Sequence, residues 1–414
     1  MMDRREMKGM QMAHLGRISE TPKGWIVPSE SGKGAYLVYE DRGETKCNCP
    51  DCQLRKIKCK HQWAVEYFTK ESVDELGNKT VQKAVRMTYT QDWRAYNEAQ
   101  TNEIRLFDQL LSDLVKSVEE PERKRGRPNL NLQDELFCAI QKVYSQLSQR
   151  RAYTLYHNAE EREQVSYVPH FNAVGKLLNR EDATPILHNL LILSSLPMRD
   201  IELYFSQDSS GFRTSQFTQY ALEKYGATEK KHHKWLKAHI LVGNKTNVIV
   251  NAEITDEDAN DSPYFKPMVE EAYKNGFNIK EITADMGYLS RKNYDAAYNI
   301  GADAYIPFKS NATGRSGGSR VWNRMYYYFM LHRDEFNEHY HQRSNVETTF
   351  MMVKTKFGDK LKSKNLVAQK NELLCKLIAH NVVVLIHEMY ELGVTPDFST
   401  CTLNQNSAPK FIEN

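Results

Sequence analysis

Residues 340–354 read YHQRSNVETTFMMVK, and Tyr340, Arg343, Glu347 and Lys354 are spaced within it to share one face of an α-helix. At about 100° per residue these four side chains fall within about 60° of arc. Val346, Phe350, Val353 and Phe357 make an apolar stripe roughly 80° further round. Such a helix can pack on a sheet while aiming a charged row sideways into a cleft. A carboxylate flanked by an ammonium, a guanidinium and a phenol is the kind of set that a metal site acting on a phosphodiester needs.

Working outward, the preceding segments alternate between strand and helix patterns. YFSQDSSGF (204–212), HILVGNKTNVIVNAEI (239–254), IKEITADMGY (279–288) and ADAYIPFK (302–309) read as strands, and VEEAYKNG (269–276) as a helix. Downstream, a long helix is predicted over roughly 366–392. Asp208 follows a short apolar strand, Asp285 ends another, and Glu347 lies on the helix quoted above. Acids on two strands and a following helix can converge on a pair of ions. Two Mg²⁺ held about 4 Å apart can activate water or a 3′-hydroxyl and stabilise the leaving oxygen. Magnesium needs few protein carboxylates when phosphate oxygens complete its shell. Asp256, Asp258 and Asp261 read instead as solvated acids in a loop after a strand, and Lys237 and His239 as structural residues of the next strand.

The segments DSSGF (208–212), ITDEDANDSPYF (254–265), ADMGY (284–288), DAYIPFKSN (303–311) and the Tyr-2-Arg-3-Glu-6-Lys run occur in that order. Together they resemble the DDE transposases of bacterial and archaeal insertion sequences, the group defined by that last signature, over roughly residues 120–390. The resemblance implies an RNase H-like catalytic fold with Asp208, Asp285 and Glu347 as the acid triad holding Mg²⁺ or Mn²⁺. It implies that Tyr340, Arg343 and Lys354 support the site or grip transposon-end DNA. Arg343 can hold a phosphate bidentately and Lys354 as a point charge. The short separation of Asp285 from Glu347 leaves no room for a large inserted domain. Lys354, Lys356, Lys360, Lys362 and Lys364 face only Asp359, a basic stretch suited to DNA backbone contacts.

Toward the N-terminus, Cys47, Cys49, Cys59 and His61 follow the pattern Cys-x-Cys…Cys-x-His, a set suited to one tetrahedral structural zinc. GWIVPSES (24–31) and GAYLVYED (34–41) read as short strands that present the first pair, and HQWAVEYF (61–68) as a helix presenting His61. Lys46, Arg55, Lys56, Lys58 and Lys60 surround the thiols and argue against simple core packing. Cys52 is a fifth candidate ligand. The cluster, with Trp25 and Tyr36 before it, resembles the SWIM zinc finger over roughly residues 20–70, which implies DNA or protein binding.

Residues 78–118 show helical periodicity through Ile104, Leu106, Leu110, Leu111 and Leu114. PERKRGRPNL (121–130) reads as a linker. Its Arg125-Gly126-Arg127 core resembles an AT-hook, which inserts arginines into a narrow minor groove. From 132 to about 196 the pattern is helical, and SYVPHFNAVGKLLNR (166–180) suits either a helix-turn-helix or a plain bundle. In the first case Phe171, Val174, Leu177 and Leu178 turn inward and His170, Asn172, Lys176 and Arg180 outward.

The expected organisation is a SWIM-like zinc module at 1–75, a helical segment and basic linker at 76–130, a helix-turn-helix-like region at 131–197, a catalytic domain at 198–395 and a tail at 396–414. The class is α/β: an RNase H-like mixed sheet flanked by helices, preceded by the all-α region and a small zinc-binding β-hairpin and helix. The net charge is only +3, so positive charge for nucleic acid must be local. No run approaches about 18 consecutive apolar residues, so no membrane partner is expected. The N-terminus lacks a signal-peptide core, and seven cysteines, four of them bunched, suit a reducing compartment. By the resemblance, the protein is a transposase of the prokaryotic cytoplasm, associated with the nucleoid. It would bind terminal inverted repeats of double-stranded DNA, cleave their ends and join the 3′-OH ends to target DNA, as a homodimer in the synaptic complex. The alternatives are a nuclease of the same fold without strand transfer, or a non-catalytic DNA-binding regulator.

Overall fold

The computed structural model describes residues 5, 8–9, 12–13, 18–29, 34–41, 44–55, 57–73, 79–83, 92–122, 130–214, 235–315 and 317–401. Packing divides the chain into two units, Met1–Gln91 and Asp92–Asn414.

In the first unit, β1 (Ser19–Thr21), β2 (Gly24–Pro28), β3 (Ala35–Asp41) and β4 (Glu44–Cys47) form an antiparallel meander. The β1–β2 turn needs Gly24: its φ is +127°, and a Cβ there would lie 2.3 Å from the Val38 carbonyl oxygen. Helices α1 (Pro50–Arg55) and α2 (Lys60–Phe68) follow. A small core of Val27, Val38, Ala64 and Val65 closes over Cys47, Cys49 and Cys59. Strands β5 (Thr69–Val73) and β6 (Lys79–Lys83) then pair as an antiparallel hairpin. Helical periodicity at 78–118 thus begins too early. KTVQK (79–83) is a strand with β-branched residues at its centre, and the apolar spacing that marks a helix starts only with the next element.

That element is α3 (Trp93–Val115), the first of the second unit, capped by the Asp92 carboxylate on the Arg94 and Ala95 amides. Helices α4 (Leu132–Ser145), α5 (Gln149–Glu161), α6 (Phe171–Leu178) and α7 (Ala183–Ser195) follow. Next come β7 (Tyr204–Arg213), β8 (Trp235–Gly243), β9 (Ile249–Asp256), α8 (Ser262–Lys274), β10 (Glu281–Ala284), α9 (Arg291–Asn299) and β11 (Asp303–Tyr305). The chain finishes with α10 (Arg320–Leu331), α11 (Arg333–Tyr340), α12 (Ser344–Phe357) and α13 (Leu366–Glu391). The sheet order is β11-β10-β7-β8-β9; β7, β8 and β9 are antiparallel, while β10 and β11 run parallel to β7. This is the RNase H-like mixed sheet, with helices on both faces.

The all-α region shares a continuous apolar core with the sheet. Val174, Leu177 and Leu178 of α6 are buried within it, whereas His170, Asn172 and Lys176 are exposed. Arg180 is half-buried and turns back onto Asp182 and Glu135.

Helix α13 is long and apolar enough to cross a membrane, but 83% of its apolar window is buried inside the protein. It packs on α3, α4 and α7, and its buried polar groups are used. Asn381 accepts from the Ile249 amide and donates to the Ile249 carbonyl. Glu372 accepts from the Lys362 and Ser363 amides, and Lys376 donates to the Gly358 and Lys360 carbonyls. It is a core helix that fastens the segment leaving α12.

Successive residues of β7 serve opposite faces, as a pleated strand requires. Phe205 packs on Phe277, Gln207 donates to Met268 Sδ, and Ser209 donates to Asp261, all toward α8. Ser206, Asp208, Ser210 and Phe212 meet Gln342, Arg343, Lys354 and Phe350, toward α12.

Candidate active site and zinc cluster

Asp208 sits in the middle of β7 rather than after it, opposite Ile240 on β8. Asp285 directly follows β10, whose last residue pairs with Gln207, so the two acids come level on adjacent parallel strands. Such strands lie about 4.8 Å apart. Asp285 is extended and accepts the Gly287 amide at 2.8 Å, opening a 3₁₀ turn at Met286–Tyr288. Glu347 occupies the first turn of α12, which ends at Gly358 with φ +78°.

The row Tyr340, Arg343, Glu347, Lys354 does not lie on one continuous helix. Helix α11 stops at Tyr340, His341–Arg343 form a 3₁₀ turn, and α12 starts at Ser344. The turn rests on the sheet: the Ser206 hydroxyl lies 3.1 Å from the Gln342 carbonyl, and Asn244 Nδ2 donates to Gln342 Oε1 at 3.0 Å. The apolar stripe is as expected: Val346, Phe350, Val353 and Phe357 are all buried.

Arg343 stands between two of the acids. Its Nη1 donates to Asp208 Oδ2 at 2.8 Å and its Nη2 to Glu347 Oε1. Its guanidinium carbon lies 5.9 Å from the Tyr340 ring centre. Lys354 Nζ donates to Ser210 Oγ at 2.6 Å and lies over the Phe212 ring at 5.1 Å. Asp208, Ser210, Glu347 and Lys354 line an open cleft of ≈ 540 Å³, while Asp285 belongs to the adjoining strand rather than to this lining. Among the described residues, the three carboxylates do not reach the tight mutual spacing of the Cys/His set. The guanidinium bridges two of them and offsets their mutual repulsion.

Burial pushes the Asp208 carboxyl up to about 6. The Ser209 amide and Arg343 oppose the rise, while Asp285 and Glu347 add to it. Asp285 and Glu347 are thus both close enough to be felt at Asp208. Burial also lowers the Lys354 ammonium below its ordinary value, and raises the Tyr340 phenol. The donor set suits hard divalent cations: three carboxylates, two level on neighbouring strands and one on the facing helix.

Asp261 does not fit the reading of a solvated loop acid. It accepts from Ser209 Oγ at 2.8 Å and from Lys237 Nζ at 3.3 Å, and lies 3.4 Å from His239 Nδ1. Burial lowers the His239 imidazole to about 4. Its sequence signal was Asp-Ser-Pro at a helix start, which suggests an N-cap. Yet the Asp261 side chain makes no capping bond to α8 and turns to the sheet instead.

In the first unit, the ligand atoms of Cys47, Cys49, Cys59 and His61 all lie within 4.8 Å of one another. His61 Nδ1 is 3.9 Å from Cys47 Sγ and 3.8 Å from Cys59 Sγ. These approach the ligand–ligand edges, about 3.5–3.8 Å, of a tetrahedral zinc with Zn–S near 2.3 Å and Zn–N near 2.0 Å. Despite the flanking cations the four side chains are buried, but against one another rather than as scattered core thiols. Hydrogen bonding from Cys47 draws the Cys59 thiol down to about 4. Cys52 stands outside the four: its Sγ donates to Gln62 Oε1, and its amide donates to Cys49 Sγ at 3.4 Å. Gln62 Oε1 also takes the Cys59 amide at 2.9 Å. Arg125 and Arg127 lie outside the described residues.

Residues 205–382 match the family model of the transposase DDE domain, and residues 36–70 that of the SWIM zinc finger. Among solved structures, the chain is similar to a piggyBac transposase in a synaptic complex with hairpin DNA, seen by cryo-electron microscopy. Identity is 12%, with 72% of this chain and 77% of that chain covered, at a TM-score of 0.34.

Proposed function

We propose that this protein, a transposase by its DDE domain at 205–382 and bearing a SWIM zinc finger at 36–70, binds terminal inverted repeats, cleaves their ends and joins the 3′-hydroxyls to target DNA. One observation carries the reading: Asp208 on β7 and Glu347 on α12 bond the same guanidinium, with Asp285 one strand away. Asp208, Asp285 and Glu347 would hold two Mg²⁺ or Mn²⁺, which when bound supply an activated oxygen nucleophile and stabilisation of the leaving oxygen.

The chain's own groups do the positioning. With cations on its two carboxylate partners, Arg343 would be free to present its fork bidentately to a scissile-strand phosphate. Lys354 adds a point charge from the far wall of the cleft, and Tyr340 bounds it with a ring that can stack on a base. Lys360, Lys362 and Lys364 extend the positive surface along the segment fastened by α13, where backbone phosphates would run. Exposed His170, Asn172 and Lys176 on α6, together with Arg125 and Arg127, offer further DNA contacts. Cys47, Cys49, Cys59 and His61 would hold one zinc that ties β4 to α2. Synapsis of two ends would take two copies of the chain, and the resemblance to insertion-sequence transposases would put it at the nucleoid of a prokaryotic cytoplasm.

The test is Asp285→Ala on oligonucleotides carrying the element's ends. Binding should persist while Mg²⁺-dependent cleavage and the joining of pre-cut ends both disappear. Wild-type rates of cleavage in that variant would remove Asp285 from the site. Cleavage without joining in the wild-type protein would make it a nuclease.

A further inference from the structure

We infer that Asp261 is a positioning residue that sets the spacing of Asp208 and Asp285 for divalent-cation binding. The inference rests on the reading of those two acids as cation ligands.

Asp261 touches the supports of both. On one side its Oδ1 accepts from Ser209 Oγ at 2.8 Å, and the Ser209 amide in turn donates to Asp208 Oδ1 at 2.8 Å. On the other side lies Gly287, whose amide orients Asp285 Oδ1. A Cβ on Gly287 would come within 2.9 Å of Asp285 Oδ1 and 3.2 Å of Asp261 Oδ2. Both carboxylates therefore approach the same bare Cα, and a side chain there would have to displace one or both of them.

The Asp261 side chain is itself held. Lys237 Nζ lies 3.3 Å from its Oδ1 and also donates to the Ala259 carbonyl at 2.8 Å, fixing the loop that leads into α8. The fully buried His239 stacks on Tyr264 at 4.4 Å and lies 3.4 Å from Asp261. An acid whose charge is already met by Lys237, and which points at Ser209 on the α8 face of β7, is placed to orient ligands rather than to be one. Groups that orient a metal's ligands from behind are worth about 10–100-fold in metal affinity.

The test uses the full chain loaded with zinc, titrated with Mn²⁺ while the signal of free Mn²⁺ is followed by electron paramagnetic resonance. Asp208→Ala is the control. If it binds Mn²⁺ as the wild type does, the cation-site reading fails and this inference with it. With that control abolishing binding, Asp261→Ala should bind about 10–100-fold more weakly. Asp261→Asn keeps an acceptor for the Ser209 hydroxyl and should stay within about threefold of wild type, and Ser209→Ala combined with Asp261→Ala should add nothing to the stronger single loss. Wild-type affinity in Asp261→Ala, equal losses in the Asn and Ala variants, or additive losses in the double variant would each overturn the positioning role. Should Asp261→Ala not melt cooperatively, Asp261→Asn and Ser209→Ala decide alone: Ser209→Ala must weaken binding and Asp261→Asn must not.

Discussion

The guanidinium of Arg343 lies 2.8 Å from the carboxylate of Asp208, across the gap between the turn ahead of α12 and β7. The same group reaches Glu347 with its other nitrogen. Without cations, the positive charge that the acids require is supplied by the protein itself.

Replacing that charge should free the acids. Arg343→Gln is expected to bind Mn²⁺ roughly tenfold more tightly than wild type without DNA, because no cation has to be displaced. The same variant should lose end cleavage. Calorimetric titration with Mn²⁺ measures the first effect; weaker binding would mean that Arg343 holds the acids in place rather than competing for them.

The Asp208 carboxyl, raised to about 6 by burial, gives a pH dependence of definite sign. A carboxyl whose folded pKa exceeds its unfolded one destabilises the fold increasingly as pH rises from about 4 through about 6. Asp208→Asn removes that cost and should stabilise the metal-free protein by roughly 2–3 kcal/mol at pH 8, with little effect at pH 4. Urea unfolding at the two pH values measures the difference. Divalent-cation affinity of the wild type should fall about tenfold per unit below pH 6, since the ligand must lose its proton.

Zinc removal should act on the first unit. Chelation, or Cys59→Ser, is expected to open residues 36–70 to protease while the thermal transition of residues 92–414 persists. Cys52→Ser should leave one zinc per chain by atomic absorption, because Cys52 bonds Gln62 and only its amide supports Cys49. Loss of zinc in that variant would make Cys52 a ligand.

Glu372 on α13 fixes the segment that follows α12. Glu372→Ala leaves the Lys362 and Ser363 amides without their acceptor and should cost about 2–3 kcal/mol in denaturant unfolding. It touches none of the three acids, so Mn²⁺ affinity should hold while DNA binding weakens through the loosened lysines.

The mixed sheet and the apolar stripe of α12 were legible because each rests on local periodicity, whereas Asp208, expected after its strand, lies within it. The four zinc-type side chains were legible because turn chemistry fixes their spacing. Three features were not. The 3₁₀ turn at His341–Arg343 lies against Ser206 and Asn244, distant in sequence, so the helical spacing of the run gave no hint of it. Asp261 looks like any acid ahead of Ser-Pro, and only folding brings Lys237 and Ser209 to it. The hairpin at 69–83 was obscured by a polar stretch whose pattern merged with that of α3.

The alternation along β7 ties heredity to geometry. From Phe205 to Ser210 its side chains turn alternately to the α8 face and the α12 face, so losing or gaining a single codon in this strand would turn the side chains that follow to the wrong face. Descendants of this gene can therefore drift by substitution here but not by insertion or deletion, since one such lesion would strip the strand of both its packing and its carboxylate.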